Sequence, residues 1–406
     1  MTPQSCAAVV VGAGPAGIAV MGNLLELGLN KIAWVDPSFD GGRVNRKYRE
    51  VPSNTKVLFF QAFATGTQPF RRIIRSTPLP NAFSTLMKLD QDQTCSLHYA
   101  ADMCRALTDG LLKMDAVVQV RGEVVSADLD DTTSQPQWTV HIRRQGTSND
   151  QTATSIITPR LILCTGSDPT TPSIPIDADK LSRLDLDTVL QPSTLYHTLP
   201  RTEPLTIAVV GGSHSAVLAL MNLYELARAT HPQLRIKWFT RHALRYAEYR
   251  NDEHGAWILR DNTGLKGQAA EFAWAQLEDD KLPQSDAGRF IQKIPISESD
   301  EMDLYAEHLP QCTHIVHAIG FTRSPLPTLT IAGDRTKPIQ DQLQWDSSVG
   351  GFLLPCGKDT AMVVPGLHGA GIAFPERVRD PFGNVEWAVG FFKFMKFLRR
   401  VCPMWV

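Results

Sequence analysis

The chain has no CxxC pair. Its seven cysteines, at positions 6, 95, 104, 164, 312, 356 and 402, are isolated and odd in number. That spacing provides neither a paired redox dithiol nor a zinc-ligand set, and it argues against a disulfide framework. No metal is therefore expected, and a reducing, cytoplasmic setting is. No basic stripe is present either: the net charge is −2 over 406 residues, with both signs interspersed, which leaves nucleic acid without its electrostatic footprint. No uncharged run reaches membrane-spanning length. The first apolar run, Ala7–Val11, goes straight into glycines, unlike a secretory leader. The late apolar stretch "EWAVGFFKFMKFLRRV" (386–401) carries four basic residues and reads as a docking helix with a basic last turn; a membrane-surface helix is the alternative. No repeat of solenoid period occurs.

What the chain does have is length for two large cores and two strand–turn–helix units. The first is "AAVVVGAGPAGIAVMGNLLELG" at 7–28, where Gly12, Gly14 and Gly17 spell GxGxxG and Pro15 and Ala16 fill the gap. The first glycine permits the tight turn, the second lets backbone approach a pyrophosphate, and the third lets helix and strand pack closely. The helix N-terminus then offers free N–H groups to phosphate. Asp36 ends the next strand, "KIAWVD", 24 residues after Gly12. An acid there is expected to accept hydrogen bonds from a ribose.

The second unit is "IAVVGGSHSAVLALMNL" at 207–223. Gly211 and Gly212 form the turn, and Ala216 is small enough for close helix packing. Ser213 stands where a glycine is usual, followed by His214 and Ser215. Ser213 still offers a backbone N–H, but its Cβ narrows the approach. His214 is expected to be structural or phosphate-adjacent. The partner strand, "RIKWFTRHALR" (235–245), ends in Thr240-Arg241. An arginine there can form a forked pair with a 2′-phosphate, so NADPH is expected over NADH.

Between the units, residues 57–116 read as mostly helical with a Pro-broken stretch near 69–80. The period changes to two over 117–163, as in a β-meander. Six prolines in 167–204 suggest a connector. Residues 242–310 are polar and irregular. The expected division is a first domain of residues 1–166 and 313–406, a connector at 167–204, and an inserted domain at 205–312. The fold class is α/β, with two Rossmann-like three-layer domains.

In this order the motifs resemble the two-dinucleotide-binding flavoproteins, a superfamily that includes pyridine nucleotide-disulfide reductases and flavin-dependent monooxygenases. The resemblance implies FAD at the first unit, NAD(P)H at the second, and strand ends that return the chain to each. Here those ends are Cys164-Thr165-Gly166 and "HAIGF" (317–321). "GGR" (41–43) resembles the family's glycine pair before the flavin, which implies a cofactor role for Gly42 and Arg43. "PGLHGAGIAFPERV" (365–378) resembles the last flavin-binding turn, with backbone N–H groups at Gly369 and Gly371 meeting the flavin and His368 nearby. "VPSNTKVLFFQAFA" (51–64) resembles the segment of flavin-containing and N-hydroxylating monooxygenases in which an asparagine holds oxygen at the flavin; Asn54 is the matching position. The bland alternative is that Ser53-Asn54-Thr55 caps a helix. The FxGxxxH signature of the flavin-containing and Baeyer–Villiger subgroups is absent before the second unit.

Without a CxxC, chemistry at the flavin itself is expected. The leading expectation is a monooxygenase using FAD, NADPH, O2 and a small organic substrate. The alternatives are an NAD(P)H-dependent flavin reductase, oxidase or dehydrogenase, and a non-catalytic flavoprotein. The sequence leaves homo-oligomerisation open.

Overall fold

The computed structural model describes residues 4–132, 134–144, 154–173, 176, 181–331, 337–357 and 360–406. Strand β1 (Ala8–Val11) leads through the first glycine turn into helix α1 (Pro15–Glu26) and on to strand β2 (Ile32–Asp36). The apolar β-branched run of β1 is buried on both faces, as a central parallel strand requires. β1 pairs in parallel with β2, with Val11 opposite Val35, and with Leu161–Leu163, with Val11 opposite Leu163. Ala361–Gly369 extends the sheet on the far side, with Gly369 opposite Leu163. The C-terminal part of the chain is thereby brought back beside the first turn.

Strand β3 (Leu205–Val210), helix α2 (His214–Ala229) and strand β4 (Leu234–Thr240) repeat the layout. They sit in a five-stranded, wholly parallel sheet with Ser182–Arg183, Ile291–Pro295 and His314–His317. Two short strands, Ser167–Pro169 and Phe321–Arg323, pair antiparallel and form the neck through which the chain enters and leaves this second unit. Each sheet carries its own core. Trp34 and Phe60 lie in one and Trp238 and Leu220 in the other.

Several local expectations need correction. The stretch 167–204 is more than a connector. It supplies a neck strand, the edge strand Ser182–Arg183 and helices Leu186–Val189 and Pro192–Thr198. Pro192 opens its helix, where its missing N–H costs nothing. Part of the stretch, 174–175 and 177–180, lies outside the described residues, as does the meander loop 145–153. Pro69 likewise sits in the first turn of a helix, Gln68–Ser76, rather than breaking one. The "irregular" segment 242–310 holds a hairpin (Glu248–Asp252 with Gly255–Leu259), a helix Gly267–Phe272 and the sheet strand Ile291–Pro295. At the C-terminus, helix α3 is Phe391–Val401, and residues 385–388 are a strand. α3 does dock. Phe391 packs edge-on against Phe60 and Phe63. Arg399 donates to the Gly66 carbonyl, and Arg400 to the Ser348 carbonyl and Glu376. None of the described helices is long and apolar enough to cross a membrane.

Candidate functional site

Both glycine turns are built by one device. Gly12 (φ +102°) and Gly211 (φ +135°) adopt backbone conformations open to glycine. A Cβ on Gly12 would collide with the Cys164 carbonyl oxygen, and one on Gly211 with the Ala318 carbonyl oxygen, each at the end of a returning strand. The indole of Trp34 donates to the Gly12 carbonyl at 2.9 Å, and that of Trp238 to the Gly211 carbonyl at 2.7 Å. The sequence reading missed these tryptophans. The signal was present in "AWVD" and "KWFT", which place a tryptophan two residues before each strand end.

The turns differ at the helix entry. Gly14 and Ser213 are the respective N-cap residues, with ordinary φ of −79° and −106°. A Cβ on Gly14 meets no atom within 4 Å, so the space in front of the turn is open. Gly17 cannot carry a Cβ, because it would strike the Gly12 carbonyl. Ala216 carries one at the matching place and is fully buried. The Gly212 position is closed by Thr240 Oγ1, which would lie 2.5 Å from a Cβ there. Ser213 is exposed, and its hydroxyl caps nothing. Pro15 opens α1 without needing a hydrogen-bond acceptor, and the other first-turn N–H groups of both helices lack intrahelical partners.

Other expected residues divide. Asp36 is buried and engaged on both oxygens: one accepts from Ala13 N at 2.8 Å, the other from Ser38 N and Phe39 N at 2.7 Å each. It fastens the turn to the following loop and keeps acceptor capacity on the oxygen bound by Ala13. Gly42 packs directly on Gly14, and its N–H is taken by Asp40. The Arg43 side chain points away from phosphate duty. It pairs with Asp168 at 2.6 Å and Asp187 at 2.5 Å, and bonds Tyr48, bracing the first domain against the neck. Gly166 is in the left-handed region (φ +77°) with open space around it, and the neighbouring Thr165 hydroxyl is buried without a partner. Gly371 (φ +91°) abuts Ala16 of α1, bringing the C-terminal turn onto the first nucleotide turn. Gly369 instead lies within a strand. Its N–H is used by the Gly350 carbonyl and a side chain there would strike Phe374, so it serves packing. His368 stacks on Trp405 with centroids 4.6 Å apart.

Asn54 is not a helix cap. It lies in a short strand, Pro52–Lys56, and the helix that follows is capped by Lys56 with no side-chain bond. Its side chain is exposed, with Oδ1 accepting from Thr55 Oγ1 at 3.2 Å. The neighbouring Ser53 carbonyl packs against Gly267, at the start of a helix of the second unit. Asn54 therefore sits on a strand where the two units meet.

The second turn opens on a cavity of about 620 Å³ lined by Gly211, Gly212, Ser213, Arg241, Arg245 and Glu301. Arg241 is half exposed and pairs with Glu301 at 2.5 Å. The sequence reading missed Glu301, because its helix, Glu301–His308, comes 60 residues later.

Two histidines are neutralised by burial. The pKa values of His214, near Lys266, and of His368, near Arg160, are both pushed down to about 4, and each Nδ1 lacks a partner. The unfolded chain protonates such rings near 6.5. A depressed folded value means that their contribution to stability is present above 6.5 and is lost as pH falls toward 4. The melting temperature is expected to drop across that window more steeply for wild type than for a His214→Gln/His368→Gln double variant; equal slopes would assign the loss to other groups.

Two glycine turns of one design, joined by a two-strand neck, define a two-dinucleotide-binding flavoprotein. The residues fit the cofactors: a cradle that a Cβ at Gly14 would fill, an orphaned Thr165 hydroxyl at one site, and unpartnered His214 Nδ1 at the other. A family model described as FAD-NAD(P)-binding matches residues 9–167. The chain is 60% identical to monooxygenase AgnR1 of Paecilomyces divaricatus over 405 residues, all of this chain and 99% of that one. It belongs to that family of FAD- and NAD(P)-binding monooxygenases. Solved structures share the fold. OTEMO with FAD bound covers 99% of the chain and 98% of its own, at 12% identity and TM-score 0.54. The bacillithiol disulfide reductase Bdr of Bacillus cereus covers 99% and 100%, at 13% identity and TM-score 0.52.

Proposed function

We propose that this protein is an NADPH-preferring FAD monooxygenase that transfers one oxygen atom from O2 to a small organic molecule. The observation that carries the reading is the pair of matched turns across one neck, one for a flavin dinucleotide and one for its reductant, in a chain without a CxxC. When bound, FAD supplies acceptance of a hydride and reaction with oxygen. The chain's own residues would bind and orient. The open face at Gly14 and the first-turn N–H groups of α1 receive the pyrophosphate. Gly42 and Gly371 press the neighbouring loops onto that turn. Thr165 and Gly166 lie where the returning strand ends and have polar capacity and space to spare. Gly211, Gly212, Ser213 and Ser215 form the second phosphate cradle, with Ala216 packing beneath it. Asn54 offers a side-chain amide, both donor and acceptor, to oxygen bound between the units.

Arg241 reads the 2′-phosphate in this account. A charge-assisted contact of this kind is worth about 1.5–3 kcal/mol, roughly ten- to a hundred-fold in affinity. Arg241→Ala should raise the KM for NADPH by that factor and leave NADH nearly unchanged. Glu301→Gln, which releases Arg241 from its partner, should lower the KM for NADPH. Steady-state kinetics with both nucleotides check this; equal losses with NADPH and NADH in Arg241→Ala would remove the assignment.

A further inference from the structure

A second cavity, of about 400 Å³, lies where the hairpin of the second unit (248–259) and its following loop face the C-terminal hairpin (376–388) and α3. One wall is Trp257 and Ile258, the other Val378 and Pro381. Trp257 meets Phe382 edge-on, with centroids 5.1 Å apart. Cross-domain bonds fix the walls. Lys393 Nζ reaches Asn262 Oδ1 at 2.6 Å and Asp261 Oδ2 at 2.7 Å, and Thr263 Oγ1 donates to Glu386 at 2.5 Å.

Its charges are unevenly satisfied. Every carboxylate around it is engaged: Asp261 by Lys266 and Lys393, Glu386 by Asn262 and Thr263, Glu376 by Arg400, and Asp380 by Asn384 and its own turn. Two cations, Arg379 and Lys396, line the same cavity. Among the described residues, neither side chain makes a hydrogen bond or ion pair. The result is a slot with an aromatic wall at Trp257, four carboxylates each held by a hydrogen bond or an ion pair, and two cations, Arg379 and Lys396, left without a partner, within the size range of small-molecule sites. Asp261 and Asn262 line this cavity and the next residue, Thr263, lines the second nucleotide cavity, so one loop reaches both.

We propose that this cavity binds the organic substrate, and that the substrate is an aromatic compound carrying an acidic group, a carboxylate or phenolate. The ring lies between Trp257 and the Val378–Pro381 side, and the anion meets Arg379 and Lys396. Only the word substrate rests on the monooxygenase reading; the binding does not. The test is calorimetry on FAD-loaded protein without NADPH, titrated with 2-naphthoate and with its neutral isostere 2-naphthamide. The acid should bind about tenfold or more tightly than the amide, as expected of charge-assisted contacts. The Arg379→Ala/Lys396→Ala double variant removes two exposed side chains without partners, so folding is preserved. It should bring the acid to the affinity of the amide and leave the amide unchanged, while Trp257→Ala should weaken both. Equal affinities in wild type, or discrimination that survives the double substitution, would overturn the proposal. Because neither NADPH nor oxygen turnover is measured, such a failure is separate from failure of the oxygenase reading.

Discussion

Gly14→Val is expected to give a folded but colourless protein. Gly14 has an ordinary φ of −79°, and a Cβ there meets no protein atom within 4 Å. The backbone therefore accepts a Cβ without strain, and that Cβ meets open space. The isopropyl group would stand in the open space before α1, where a pyrophosphate must approach the turn. The other glycines would not give so clean a result. A side chain at Gly12 or Gly17 collides with backbone carbonyls within the turn, so those variants would lose the fold and the flavin together. The variant should keep wild-type far-ultraviolet circular dichroism while its visible flavin absorbance disappears. Its melting temperature should match that of wild-type apoprotein, since only ligand-linked stability is lost. A yellow variant with full FAD content would show that the first turn is not the flavin site.

Asn54→Ala should separate reduction from oxygenation. The side chain is exposed on a short strand and caps no helix, so the substitution should change stability by no more than about 0.5 kcal/mol. With NADPH at the second unit, as proposed, the rate at which it bleaches the flavin without oxygen should stay near wild type. With oxygen and substrate present, hydrogen peroxide released per NADPH consumed should rise to nearly one, at the expense of oxygenated product. An unchanged ratio would leave Asn54 without a part in oxygen chemistry.

The parts of the site legible in the sequence are those fixed by local backbone chemistry. Gly12, Gly14, Gly17, Gly211 and Gly212 could be read because a strand, a tight turn and a helix in succession leave few residue choices. What the sequence hid depends on contacts made far along the chain. Asp36 reads as a ribose ligand, but no local pattern shows that three backbone N–H groups also hold it in place. Arg43 looked like a cofactor residue; its partners, Asp168 and Asp187, come more than a hundred positions later, through the neck. Gly369 and Gly371 read alike, yet one lies inside a strand and the other in a left-handed turn against α1. Glu301 and the cavity at Arg379 and Lys396 are assembled by tertiary packing and leave no periodic trace.

The most direct test of the central claim is the fate of oxygen. Wild-type protein, loaded with FAD and supplied with NADPH, isotopically labelled O2 and a panel of aromatic acids, should yield an organic product carrying one labelled oxygen atom for each NADPH consumed. If no acid or other small organic molecule acquires label and every electron pair from NADPH is recovered as hydrogen peroxide or in an added acceptor, the protein is a flavin-dependent oxidase or reductase and the account is contradicted.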